Sequence, residues 1–148
     1  MYTVLFECHH LYYLPNFIPV IQEMKKREKY NLSISIPFNS NNREKNIFID
    51  TVKSLGIKLI EAESEKQRLI KIKKKNFDII IVGNVGQLNK ITNKDTIAVM
   101  VYHGIGLKQS YYIDTDSRID IRAVESLPRL DELKKNRHDN LVLTGFTK

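Results

Sequence analysis

Ile79, Ile80, Ile81 and Val82 stand together, closed off by Asp78 on one side and Gly83 on the other. Consecutive β-branched residues favour an extended strand, and a strand with no polar alternate position must be covered on both faces. A parallel sheet sandwiched between helices meets that requirement. The rest of the chain supplies the matching parts. With residues 77–82 as one member, short β-branched or aromatic runs recur at 3–6, 32–36, 57–60, 97–102 and 141–144.

Stretches with helical periodicity separate most of these runs. Leu14, Phe17, Ile18, Ile21 and Met24 share one helix face; Pro15 suits a first turn, and Pro19 is expected to tilt the helix or delay its start. Phe48, Ile49, Val52 and Leu55 form a second apolar stripe, entered through residues 39–42 and closed by Gly56 as a C-cap. Ser64 caps a third helix carrying Leu69, Ile70 and Ile72. Ser126 with Pro128 opens a late one carrying Leu130 and Leu133 and ending in Lys134 and Lys135. Strand alternating with helix predicts a doubly wound, mainly parallel α/β sheet with helices on both faces. No repeat, low-complexity tract or linker divides the 148 residues, so one domain is expected.

Hydrophobic residues make up 42% and charged residues 28%, which excludes a disordered or fibrous chain. The longest unbroken apolar stretch, 97–102, falls far short of the ~18–20 residues that span a bilayer. The first residues lack a basic n-region and their apolar run breaks at Glu7, unlike a secretory signal. A single cysteine, Cys8, allows no internal disulfide. These features predict a cytoplasmic protein. The net charge of +7 favours acidic partners: nucleic acid, an anionic membrane face or a phosphate-bearing substrate.

In doubly wound sheets ligands bind beyond the carboxyl ends of the strands, so the residues that follow each strand carry the functional signal. After the first strand come Cys8, His9 and His10, then Tyr12 and Tyr13. Two adjacent histidines diverge in direction and have no third and fourth ligand at a recognisable spacing, so they suit anion or substrate binding, or a plain hydrogen-bonding loop, better than a metal. Gly83 and Gly86 bracket a tight turn, but match neither the phosphate-cradling loop nor the dinucleotide fingerprint. After the fifth strand the signal is denser: Tyr102, His103, Gly104, Ile105, Gly106, Leu107, Lys108. His103 can take a proton from a hydroxyl near neutral pH or make a structural hydrogen bond, Gly104 and Gly106 open room for a substrate, and Lys108 can hold a phosphate.

Two further features are read more plainly. Residues 66–75 hold six Lys or Arg, a helix with Leu69, Ile70 and Ile72 turned inward and its cations in solvent. Of these, Lys71, Lys73, Lys74 and Lys75 are candidates for contact with an anionic membrane or polymer. Few aromatics are interleaved with them, which makes nucleic acid a poor partner. Arg118, Asp120 and Arg122 alternate with Ile119 and Ile121, with Asp114 and Asp116 before them. Without a glycine turn or a distal Glu this is no calcium loop, and a polar loop is expected.

Three stretches together resemble the CDP-glycerol glycerophosphotransferases of teichoic-acid and capsule synthesis. They are residues 101–108 with their His-Gly-x-x-x-Lys element, the helix around 128–133, and the closing strand 140–148 ending Gly145, Phe146, Thr147, Lys148. The opening from Leu5 to Met24, with His9, His10, Leu14 and Pro15, also resembles the first βα unit of related two-domain sugar-nucleotide enzymes.

The resemblance implies a GT-B-like arrangement of two facing Rossmann-like domains. It implies that His103 is the base for the acceptor hydroxyl, that Lys108 stabilises phosphate charge, and that CDP-glycerol is held mainly by a C-terminal domain. Residues 1–148 are then the single Rossmann-like acceptor-side domain, lacking the donor-nucleotide domain and inactive alone. No cofactor is implied. The acceptor would be a phosphate-containing polymer or lipid-linked hydroxyl, met at the inner face of the membrane. Two other readings remain: the N-terminal domain of another GT-B glycosyltransferase or epimerase-like enzyme, and a non-catalytic α/β domain that binds an anionic ligand.

Overall fold

A computed structural model describes residues 1–8, 10–36, 41–102 and 118–147. Seven strands form one sheet: β1 (Tyr2–Glu7), β2 (Tyr30–Ser35), β3 (Lys58–Ile60), β4 (Ile79–Val82), β5 (Ile97–Val101), β6 (Ile121–Val124) and β7 (Leu141–Leu143). Their spatial order is β3-β2-β1-β4-β5-β6-β7, and every neighbouring pair is parallel. The helices are α1 (Leu14–Lys26), α2 (Asn42–Leu55), α3 (Glu65–Lys75), α4 (Leu88–Ile91) and α5 (Leu127–Lys135), with a 3₁₀ turn at Leu11–Tyr13 before α1.

Strand alternation sends successive side chains to two separate cores. Val4, Phe6 and Cys8 of the first βα unit face α1 and α2, meeting Phe17, Ile21, Phe48 and Val52. Leu5, Ile80, Val82 and Met100 face the other way, towards Ile72 of α3, Leu88 and Ile91 of α4 and Leu133 of α5. The sheet is therefore doubly wound, and β4 is covered on both sides as its composition requires.

The helix boundaries follow their local chemistry. Asn41, Ser64 and Ser126 each accept a backbone N–H of the first turn of α2, α3 and α5. Gly56 ends α2 at φ +63°, a conformation that costs glycine little. Pro19 does not delay α1, which begins at Leu14 and runs through it.

Two expectations need correction. The segment read as a polar loop contains β6, and Arg122 within it is buried. In α3, Ile72 is buried and Leu69 packs partly buried against the same core as expected, but Arg68 is buried with them and Ile70 is 55% exposed.

Candidate functional site at the carboxyl edge

The chain leaves β1 for β2 on one side and later returns to β4 on the other, so the crevice between the tips of β1 and β4 is the topological switch point. The polar residues at those tips are buried and tightly bonded. Glu7, the last residue of β1, accepts from Arg68 Nη1 through Oε1 at 2.8 Å and from the Ser35 hydroxyl through Oε2 at 3.0 Å. The same Arg68 Nη1 lies 3.1 Å from Ser35 Oγ, at the tip of β2. Its Nε and Nη2 reach back along α3 to both oxygens of Glu65, at 2.8 and 2.7 Å. Gln87 Nε2 donates to Glu65 Oε1 at 3.3 Å, bringing in the loop after β4.

Arg68 is only 2% exposed, so its charge depends on these partners. Burial alone would lower its pKa, but the hydrogen bonds to Glu65 and the charge of Glu7 hold it above its usual value. Arginine suits this position and lysine does not, because one planar fork serves three acceptor groups at once. The sequence reading missed Arg68 by counting it among the lysines around it. Its signal was being an arginine three residues after a glutamate in a lysine-rich helix.

Beside this network, Glu7, Asn84, Gln87 and the apolar residues Val82, Val85, Leu88 and Ile91 line a small cavity. Asn84 Oδ1 and Gln87 Oε1 are buried there without a hydrogen-bond partner among the described residues. Gly83 has a steric role: a Cβ on it would lie 2.6 Å from the ring of Tyr13, which packs directly on this backbone. Gly86 takes a positive φ of 47° in the same turn.

On the α1 side of the crevice, His10 is exposed and stacks on Tyr12 with ring centroids 5.1 Å apart and planes within 10°. Tyr13 meets both rings from the buried side. Cys8 is buried and donates its thiol to the His10 carbonyl at 3.0 Å. Burial, reinforced by the charge of Glu7, pushes the Cys8 thiol well above its ordinary pKa, so it is no nucleophile at neutral pH.

A second buried cluster occupies the tips of β5 and β6. Arg122 Nη1 donates to the Tyr102 hydroxyl at 3.0 Å and approaches Met100 Sδ at 3.7 Å. The Arg129 guanidinium lies 5.3 Å from the Tyr102 ring centroid and donates through Nε to Glu125 at 2.6 Å. Tyr102 is thus gripped by two arginines, and His103 is the next residue in the chain.

His103, Gly104, Gly106, Lys108 and His9 lie outside the described residues, as do Asp114 and Asp116. His10 lies at the switch point. Lys71, Lys73, Lys74 and Lys75 are exposed on α3, with Lys71 bound to the Glu61 carbonyl and Lys73 to the Thr92 carbonyl. Among the described residues, no group of three or more His, Cys, Asp or Glu is arranged to hold a metal ion. Among the same residues, no helix is long and apolar enough to cross a membrane.

No protein-family model matches this chain, and no curated protein matches its sequence significantly. In three dimensions it is similar to a Listeria monocytogenes protein described as a UDP-N-acetylglucosamine 2-epimerase. The TM-score is 0.59 at 11% identity, over 94% of this chain and 43% of that one. The likeness is one of fold. It makes this a Rossmann-like α/β domain of the GT-B-like kind, spanning less than half the length of its structural neighbour.

Proposed function

We propose that this chain is the acceptor-side half of a two-domain, GT-B-like transferase. In this reading the enzyme moves glycerol phosphate from CDP-glycerol to a hydroxyl of a phosphate-containing polymer or lipid-linked acceptor. The observation that best supports it is the anchoring of Tyr102 at the carboxyl edge by Arg122 and Arg129, directly before the His-Gly-x-x-x-Lys element. A buried, doubly held residue is a firm base from which to present a reactive neighbour.

His103 takes the proton of the acceptor hydroxyl. The acceptor oxygen attacks the β-phosphorus, and the bond from that phosphorus to the bridging oxygen breaks. CMP leaves with the electron pair, and the proton on His103 passes to solvent. Lys108 offsets charge on the transferring phosphate, Gly104 and Gly106 give the acceptor close approach, and His9 and His10 bind its polar groups. The cytidine end is held by a second domain, and the reaction runs at the inner face of the membrane.

The test is CMP release from CDP-glycerol by a protein carrying this chain together with its second domain. His103→Ala is expected to lower turnover by about 10²–10⁴-fold, the usual worth of a general base. Full activity in that variant would defeat the assignment of His103. A second reading, epimerase-like chemistry on a sugar nucleotide, is favoured by the fold likeness. Conversion of UDP-N-acetylglucosamine without CMP release from CDP-glycerol would select it.

A further inference from the structure

The outer face of α3 and the short α4 together form an open groove whose lining includes Lys66, Leu69, Ile70, Lys73, Lys74 and Lys90. Lys66, Ile70 and Lys74 follow at intervals of four, so they share one stripe of α3. Ile70 stands at the middle of that stripe and is 55% exposed. Lys73 is committed to the Thr92 carbonyl, and Glu65, at the groove's end, to Arg68. Lys66, Lys74 and Lys90 make no ion pair or hydrogen bond among the described residues. The groove therefore presents three uncommitted cations around one solvent-facing aliphatic side chain.

We infer that this face docks on an anionic phospholipid surface, with Ile70 entering the headgroup boundary and Lys66, Lys74 and Lys90 meeting lipid phosphates. The choice of residues argues for lipid over other anions. Protein interfaces are enriched in arginine and aromatic residues and depleted of lysine, whereas every uncommitted cation here is lysine. Single-stranded nucleic acid asks for aromatic platforms, and the groove lining has none. Lysines flanking an aliphatic insertion are the pattern that anionic bilayers select. This surface differs from the one expected from sequence: Lys71 and Lys73 are tied to backbone carbonyls, and Lys66, Lys90 and Ile70 join Lys74. The inference does not rest on the transfer reaction proposed above, because neither His103 nor a second domain enters it.

Sedimentation of the 148-residue chain with vesicles tests it directly. Binding is expected to phosphatidylglycerol mixed with phosphatidylcholine, not to phosphatidylcholine alone, and to weaken as salt rises. Each lysine at such a surface is worth about fivefold in partitioning. The triple variant Lys66→Glu, Lys74→Glu, Lys90→Glu should accordingly bind more than tenfold more weakly, and Ile70→Ser should lose a smaller factor. These positions are exposed, and unchanged circular dichroism would confirm that the variants fold. Absence of binding to phosphatidylglycerol would overturn the inference. So would undiminished binding of the triple variant, which would place the contact elsewhere. Binding that Ile70→Ser leaves intact and soluble polyphosphate fully displaces would also overturn it, in favour of a general polyanion surface.

Discussion

Arg68 and the pair Arg122 and Arg129 are all buried at the carboxyl edge, yet the described partners that hold them differ. Arg68 is shared between two carboxylates and a hydroxyl, and it ties α3 to the tips of β1 and β2 across 61 and 33 residues of sequence. Among its contacts, Arg122 donates to a phenol and faces a thioether, while Arg129 pairs with Glu125, four residues away just before its own helix. The first cluster is a cross-sheet rivet whose loss should be felt by the whole fold. The second grips one residue, Tyr102, and leads straight into the segment with the densest chemistry. Burial of a charge therefore does not say what the charge is for; its partners do.

The largest effect is expected at the rivet. Arg68→Ala leaves Glu7 charged and uncompensated in the interior, and should cost about 3–5 kcal/mol in urea unfolding. In a double-mutant cycle, Glu7→Gln should cost much less on top of Arg68→Ala than alone; plain additivity would mean that the two do not act as a unit. Tyr102→Phe deletes the hydroxyl that accepts from Arg122 Nη1 while keeping the ring beneath Arg129, and should cost about 1.5–3 kcal/mol, as for a hydrogen bond to a charged group. A loss equal to that of Arg68→Ala would erase the contrast between the clusters. Smaller again is Arg129→Leu in a Tyr102→Phe background compared with the wild-type background. The cation–π contact survives loss of the hydroxyl, so the penalty should be nearly equal in both, within about 0.5 kcal/mol.

The smallest expected effect serves as a control at the opposite edge of the sheet. Asp78 accepts the amide and the hydroxyl of Thr3, each at 2.7 Å, and these bonds hold its carboxyl below the usual aspartate range. A carboxyl whose folded pKa is depressed stabilises the fold above its unfolded pKa and ceases to do so as pH falls through the folded value. The stability gap between wild type and Asp78→Asn should therefore be open at neutral pH and close in strong acid. A gap that is constant across the titration would mean that the charge of Asp78 contributes nothing.

The backbone of this fold was legible because its code is local. The run from Ile79 to Val82, the caps at Ser64 and Ser126 and the glycine at 56 each carry their meaning within a few residues. The carboxyl-edge chemistry was not, because it depends on partners far along the chain. Arg122 looked like one tooth of a solvated alternation until β6 paired with β5 and turned it onto Tyr102. Arg68 was hidden by the lysines around it, since a count of charges cannot tell which head group turns inward. Ile70 erred in the other direction: helical spacing alone put it inside, but the four-residue α4 leaves that stripe open.

The ring of Tyr13 resting on bare backbone at Gly83 carries a consequence for how this sequence can vary. Any side chain at 83 strikes the ring, so the two positions share one evolutionary fate. A descendant that exchanges Gly83 while tyrosine stands at 13 must displace that buried ring, so replacement at 13 first is the less costly order. Among natural relatives, an aromatic residue at 13 should be accompanied by glycine at 83.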